Sequence, residues 1–134
     1  MTRGLTLLLA AGAAAVPLIA AGQPSALTQV QPGLWEISGV PGSSGPVRQC
    51  LADAVALARF EHRGKSCNAS LLKSAGTLAN IEYHCGAAGF GNSEVTVLTP
   101  RSLRISTQGI SDGLPFNYVL QARRVGDCPL SIRH

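Results

Sequence analysis

Residues 67–85 read CNASLLKSAGTLANIEYHC, and the alternation within this stretch decides the fold. Apolar side chains fall at Cys67, Ala69 and Leu71 on one arm and at Ala79, Ile81, Tyr83 and Cys85 on the other, with Asn68, Ser70, Asn80, Glu82 and His84 between them. Successive side chains of a strand point to opposite faces, so a period of two describes two half-buried strands rather than a helix. A turn over Ser74-Ala75-Gly76-Thr77 with Gly76 at its centre sets Leu71 opposite Ile81, Ala69 opposite Tyr83 and Cys67 opposite Cys85. The apolar faces and the two sulfurs then meet in one register.

The same pattern continues on both sides. Thr99-Pro100-Arg101 turns a second hairpin in which Val97 faces Leu103 and Val95 faces Ile105, leaving Glu94, Thr96, Arg104 and Ser106 to water. A last strand over residues 116–124 presents Phe116, Tyr118, Leu120 and Ala122 to the core, and a first strand over 34–39 contributes Trp35 and Ile37. Residues 53–61 predict one short helix with Asp53 as N-cap and Val55, Leu57, Ala58 and Phe60 apolar, placed as a lid or edge cover. The stretches 41–46 and 86–92, rich in glycine, proline and serine, read as loops. The fold expected is mainly β: a single antiparallel, strongly curved sheet or open barrel of about seven strands with one short helix.

Upstream, Arg3, the apolar run from Leu5 to Ala15 and the small residues Ala20-Ala21-Gly22 make residues 1–22 a secretory signal peptide, with 23–134 as one disulfide-bonded β domain. The rival is an uncleaved anchor, since Leu5 to Ala21 carries no charge over 17 residues, the lower limit for a bilayer span. Pro17 and the Ala/Gly-rich end favour cleavage, after which no stable membrane span is expected. The formal net charge of +4 falls to +3 with Arg3, and the remaining basic residues are scattered along the chain. Nucleic-acid binding, which needs them clustered on one face, is not expected.

All four cysteines, Cys50, Cys67, Cys85 and Cys128, lie in the expected mature part, the arithmetic of two disulfides in an exported chain. The hairpin register favours Cys67 with Cys85, which leaves Cys50 for Cys128. Cys50 with Cys67 plus Cys85 with Cys128 stays open as the serious rival, because a helix between the first two can fold back on itself. Zinc ligation wants closer pairs than these, so neither a metal nor a cofactor is expected.

Catalytic patterns are thin. His62 falls in a basic loop, His134 ends the chain, and Glu82 and His84 share one strand face while Tyr83 points to the other. That pair is the only motive for an envelope hydrolase, and an enzyme is not the expectation. Gly33-Leu34-Trp35 is comparable with the Gly-x-Trp that opens lipocalin-like barrels, where a late arginine, here Arg123 or Arg124, packs over the indole. On that comparison Trp35, Tyr118 and Arg124 are the candidate ligand-lining residues, but a three-residue motif favours a plain core tryptophan over it.

The order Pro32-Gly33-Leu34-Trp35-Glu36, Cys50-Leu51 before a short helix, Ser66-Cys67, Cys85 and the terminal Ala122-Arg123-Arg124-Val125-Gly126-Asp127-Cys128 resembles a bacterial exported family, the domain of unknown function 3617. The chain departs from it at Ala52-Asp53, where Thr-Pro is usual, and over Val95 to Leu98. The resemblance implies a periplasmic or secreted setting and the four-cysteine pattern, and it carries no activity. The expected function is a non-catalytic binding or accessory module of the cell envelope, its partner an envelope protein or a small apolar ligand. A lipocalin-like carrier and an envelope hydrolase are the alternatives.

Overall fold

A computed structural model describes residues 9–15 and 25–130. Of the segment read as a signal peptide only 9–15 falls among them, and His134 lies outside. The strands are β1 (Gly33–Ser38), β2 (Val47–Leu51), β3 (Asn68–Ala75), β4 (Leu78–His84), β5 (Gly89–Thr99), β6 (Ser102–Ser111) and β7 (Leu114–Gly126). They form one antiparallel sheet in the order β2-β1-β7-β6-β5-β4-β3. Strands β3 to β7 are a meander of hairpins, and the β1–β2 hairpin joins it by pairing β1 with β7. The sheet is open at β2 and β3 and is not closed into a barrel.

Both hairpin registers match the sequence reading away from the turns. Leu71 pairs with Ile81, Ala69 with Tyr83, Val97 with Leu103 and Val95 with Ile105. Nearer each turn the register slips by one residue, at Leu72 in β3 and at Leu98 in β5. Each slip is a bulge that raises the local twist and lets the chain reverse in fewer residues than the turn first read for it. Gly76, at φ +59°, occupies the left-handed position that the first reversal needs.

Two expectations are corrected on the inner face of the sheet. The stretch 89–92 is not loop but the start of β5, paired with both β4 and β6. Its glycines are there for close approach: a Cβ on Gly89 would run into the Ile110 carbonyl and one on Gly91 into the Tyr83 phenol, as one on Gly109 in the facing β6 would into the Phe90 carbonyl. In β3, by contrast, the expected apolar face is not buried, and Leu71 is 49% exposed because this edge strand lies beyond what covers the sheet.

That cover is the segment after β2. Helix α1 spans Val55–Ala58 and a 3-10 turn follows at Phe60–His62, so the helix is shorter than the expected 53–61. Asp53 does act at its start, its Oδ1 accepting from the Val55 N–H at 2.9 Å. The helix is no lid. Leu57, Ala58 and Phe60 are fully buried among Trp35, Ile37, Ile81, Val95, Leu103, Ile105 and Leu120, so the segment fills the space inside the sheet. An N-terminal turn at Ala26–Gln29 adds Ala26 to the same cluster. Burial of side chains of this size stabilises by about 1.5–3 kcal/mol each.

The structure joins Cys67 to Cys85 and Cys50 to Cys128. The first bridge clasps the open end of the β3–β4 hairpin. The second ties β2 to the chain just past β7, across the intervening β1.

Candidate functional site

Cross-strand register assembles the candidate site. On the face turned away from α1, Glu82, Asn92, Gln108 and Asn117 are paired in succession across β4, β5, β6 and β7, making one straight row of polar side chains. The next row outward is His84, Phe90, Ile110 and Pro115, again paired strand to strand. An amide-rich row therefore runs beside an aromatic and apolar one. The polar row, together with Phe90 and Ile110 of the second, lines a cleft of about 500 Å³ floored by Phe116 and the glycines Gly91 and Gly109.

The strands beneath this cleft are the central ones, so their backbone groups are spent in the ladder and recognition falls to side chains. Phe90 is 48% exposed, while Glu82 and Asn92 are half-buried. The Asn92 Nδ2 donates to Asn80 Oδ1 at 3.0 Å, which holds that amide in one orientation. Glu82 Oε1 lies 3.3 Å from His84 Nε2, so the pair does share a face, with His84 the more exposed of the two. Among the described residues no arginine or lysine lines the cleft.

Behind the same end of the sheet lies a cluster that the sequence reading missed. His62, expected in a basic loop, is 3% exposed. Its Nε2 donates to the Ala88 carbonyl at 3.1 Å, since a carbonyl can only accept, and its Nδ1 meets the Tyr83 hydroxyl at 3.2 Å. The imidazole stands edge-on to the rings of Tyr83 and Phe116. Beside it the Tyr118 hydroxyl donates to Glu61 Oε2 at 2.7 Å. Burial first, and then the hydrogen bond to the Glu61 carboxylate, push the Tyr118 phenol far above its ordinary value. The Tyr83 phenol is also raised, mainly by burial. The Ser93 hydroxyl donates to the Ala58 carbonyl at the end of α1 and is hydrogen-bonded to the Thr107 hydroxyl at 2.8 Å. Each polar group of this cluster has a protein partner, and the cluster seals α1 and the 3-10 turn onto the sheet.

The three residues expected to line a ligand are not brought to one cavity. Trp35 is fully buried and its Nε1 donates to the Gln31 carbonyl at 3.1 Å. Tyr118 belongs to the sealed cluster. Arg124 pairs with Trp35 across β1 and β7, but its Nε donates to the Pro32 carbonyl at 2.8 Å and its Nη2 is paired with Asp127. It lies on Gly33, where a Cβ would collide with the guanidinium, so Gly33 and Arg124 form a latch at the sheet's end. A second cleft, of about 1180 Å³, runs along this latch and the Cys50–Cys128 bridge. Arg124 lines it, already engaged on both sides, and Trp35 and Tyr118 line neither cleft. The cation–π contact the structure shows is a different one, Arg63 over Phe60 at 4.3 Å.

Among the described residues no helix is long and apolar enough to cross a membrane. A family model described as "Protein of unknown function (DUF3617)" matches residues 30–128. No curated protein and no solved structure matches.

Proposed function

The chain belongs to the DUF3617 family, and from its sheet and cleft we propose that it is a non-catalytic binding module of the cell envelope. It is exported by residues 1–22 and works oxidised, in the periplasm or outside the cell. Two disulfides are compatible with an exported protein. The observation that carries the binding reading is the paired polar and apolar rows on the outer face, joined in a cleft of the size small-molecule sites have. The carrier alternative needs the ligand inside the sheet, where Leu57, Ala58 and Phe60 stand instead. The hydrolase alternative rests on Glu82 and His84, an exposed pair of the kind that surface charges make without catalysis.

A thermal-shift screen of the oxidised protein against envelope metabolites, lipids and oligosaccharides tests this reading. The expected result is a compound that raises the unfolding midpoint of the native protein and not that of a Gln108→Ala, Asn117→Ala double variant. A stabilising compound that acts equally on both proteins, or none across the whole screen, contradicts it.

A further inference from the structure

We infer that the outer cleft binds a neutral sugar, as one or two linked pyranose rings, an inference that rests on the binding-module reading above. The two rows impose an amphipathic ligand. Gln108, Asn92 and Asn117 end in planar amides, each able to donate and accept at once, and Glu82 adds an acceptor. Neighbouring hydroxyls on a pyranose are donor and acceptor in the same way, so one amide can serve two of them.

The adjoining row presents Phe90 and Ile110, and Phe90 keeps about half its surface open. An aromatic face suits the C–H face of a sugar ring, which is apolar although its rim is not. Other ligand classes fit less well. A phosphate or carboxylate finds no basic residue in the cleft and meets Glu82 there. A fatty chain would take water from the amides and return no hydrogen bond, which costs about 1–3 kcal/mol for each group left unpaired. A peptide adding as a strand needs a free edge, whereas this cleft lies across the central strands.

Size agrees as well. Four strands set about 4.8 Å apart span about 14 Å from β4 to β7, room for two linked rings. Asn92, fixed by Asn80, and Glu82, held beside His84, give one end of the row a set orientation before any ligand arrives.

Isothermal titration of the oxidised protein with a panel of neutral disaccharides (cellobiose, chitobiose, maltose and their monosaccharides), with oleate and inorganic phosphate beside them, tests the inference. The expected result is saturable binding of at least one neutral sugar, weakened about tenfold by Phe90→Ala and similarly by Asn117→Ala, with the thermal midpoint of each free variant unchanged. Sugar binding that both variants leave intact overturns the assignment to this cleft. Oleate or phosphate binding that Phe90→Ala abolishes, with every sugar silent, overturns the sugar and leaves the binding module standing. Silence from all of the ligands overturns the sugar inference, and the wider screen then decides the module reading.

Discussion

Gly91 and Gly109 face each other across β5 and β6, and each leaves the space of a side chain to a neighbour. Gly91 yields it to the Tyr83 ring, while Gly109 lets the strands close to the Phe90 carbonyl. Gly109→Ala is expected to destabilise more than Gly91→Ala, because backbone gives less readily than a ring, and both should cost about 1–3 kcal/mol. Gly45, with nothing within 4 Å of its missing Cβ, is the control and should change stability by less than about 0.5 kcal/mol. Denaturant unfolding of the three variants checks the order.

Tyr118 gives a pH dependence of definite sign. Its phenol is raised in the folded protein, so between the unfolded value of about 10 and the higher folded one the native state holds a proton that the unfolded chain has lost. The stabilisation is present in full below pH about 10 and is lost as the pH rises above it. Tyr83, also raised, adds to the same slope. Unfolding free energies measured between pH 8 and 11 should fall, and Tyr118→Phe should flatten part of that fall while costing about 1 kcal/mol at neutral pH for the lost bond to Glu61.

At the scale of elements, the helix carries more than its length suggests. Leu57 is fully buried in the core cluster, whereas Leu72, at the β3 bulge, is 57% exposed. Leu57→Ala should therefore cost about 2–5 kcal/mol and Leu72→Ala little, as urea midpoints will show. The sequence made the hairpins legible because alternation and the facing cysteines constrain the same register twice. It did not make the bulges legible, since the twist that demands them is a property of the paired sheet and not of either strand. The helix was legible from Asp53 and its apolar face, but its end was not. Arg59 leaves the helical region, at φ −107° and ψ 28°, and swings His62 inward, and a polar side chain among basic neighbours carries no local sign of that burial.

The polar row was within reach of the same reasoning. The register that sets Val95 opposite Ile105 also sets Asn92 opposite Gln108 if it is continued through the glycines. A glycine-rich run reads as loop only until the groups that occupy its missing side chains are known, and the Tyr83 ring at Gly91 and the Ile110 carbonyl at Gly89 come from other strands. Trp35 and Arg124 are paired across β1 and β7, yet Trp35 is a core residue and Arg124 forms the latch over Gly33.

For the molecule as a whole, covalent closure and packing act on different parts. The Cys50–Cys128 bridge spans 78 residues and the Cys67–Cys85 bridge 18. On loop-closure entropy alone the first contributes about 4.5 kcal/mol and the second about 3. Replacing Cys50 and Cys128 together with serine should lower the thermal midpoint more than replacing Cys67 and Cys85, and calorimetry of the two double variants compares them directly. The larger bridge holds the β1–β2 hairpin to the meander, while the residues lining the cleft all lie on β4 to β7, within the meander itself. Removing the Cys50–Cys128 bridge should therefore leave ligand binding at the cleft unchanged at temperatures where the variant stays folded.

A sheet filled on its inner face, as this one is by α1, leaves its outer face to recognise the proposed ligand. Amide chemical-shift mapping by NMR, on the oxidised protein titrated with whichever compound stabilises it, tests that most directly. Perturbations are expected at Glu82, Phe90, Asn92, Gln108 and Asn117, with Trp35, Leu57 and Ile105 unmoved. Perturbations centred on Trp35, Leu57 and Tyr118 instead would place the ligand inside the sheet and contradict it.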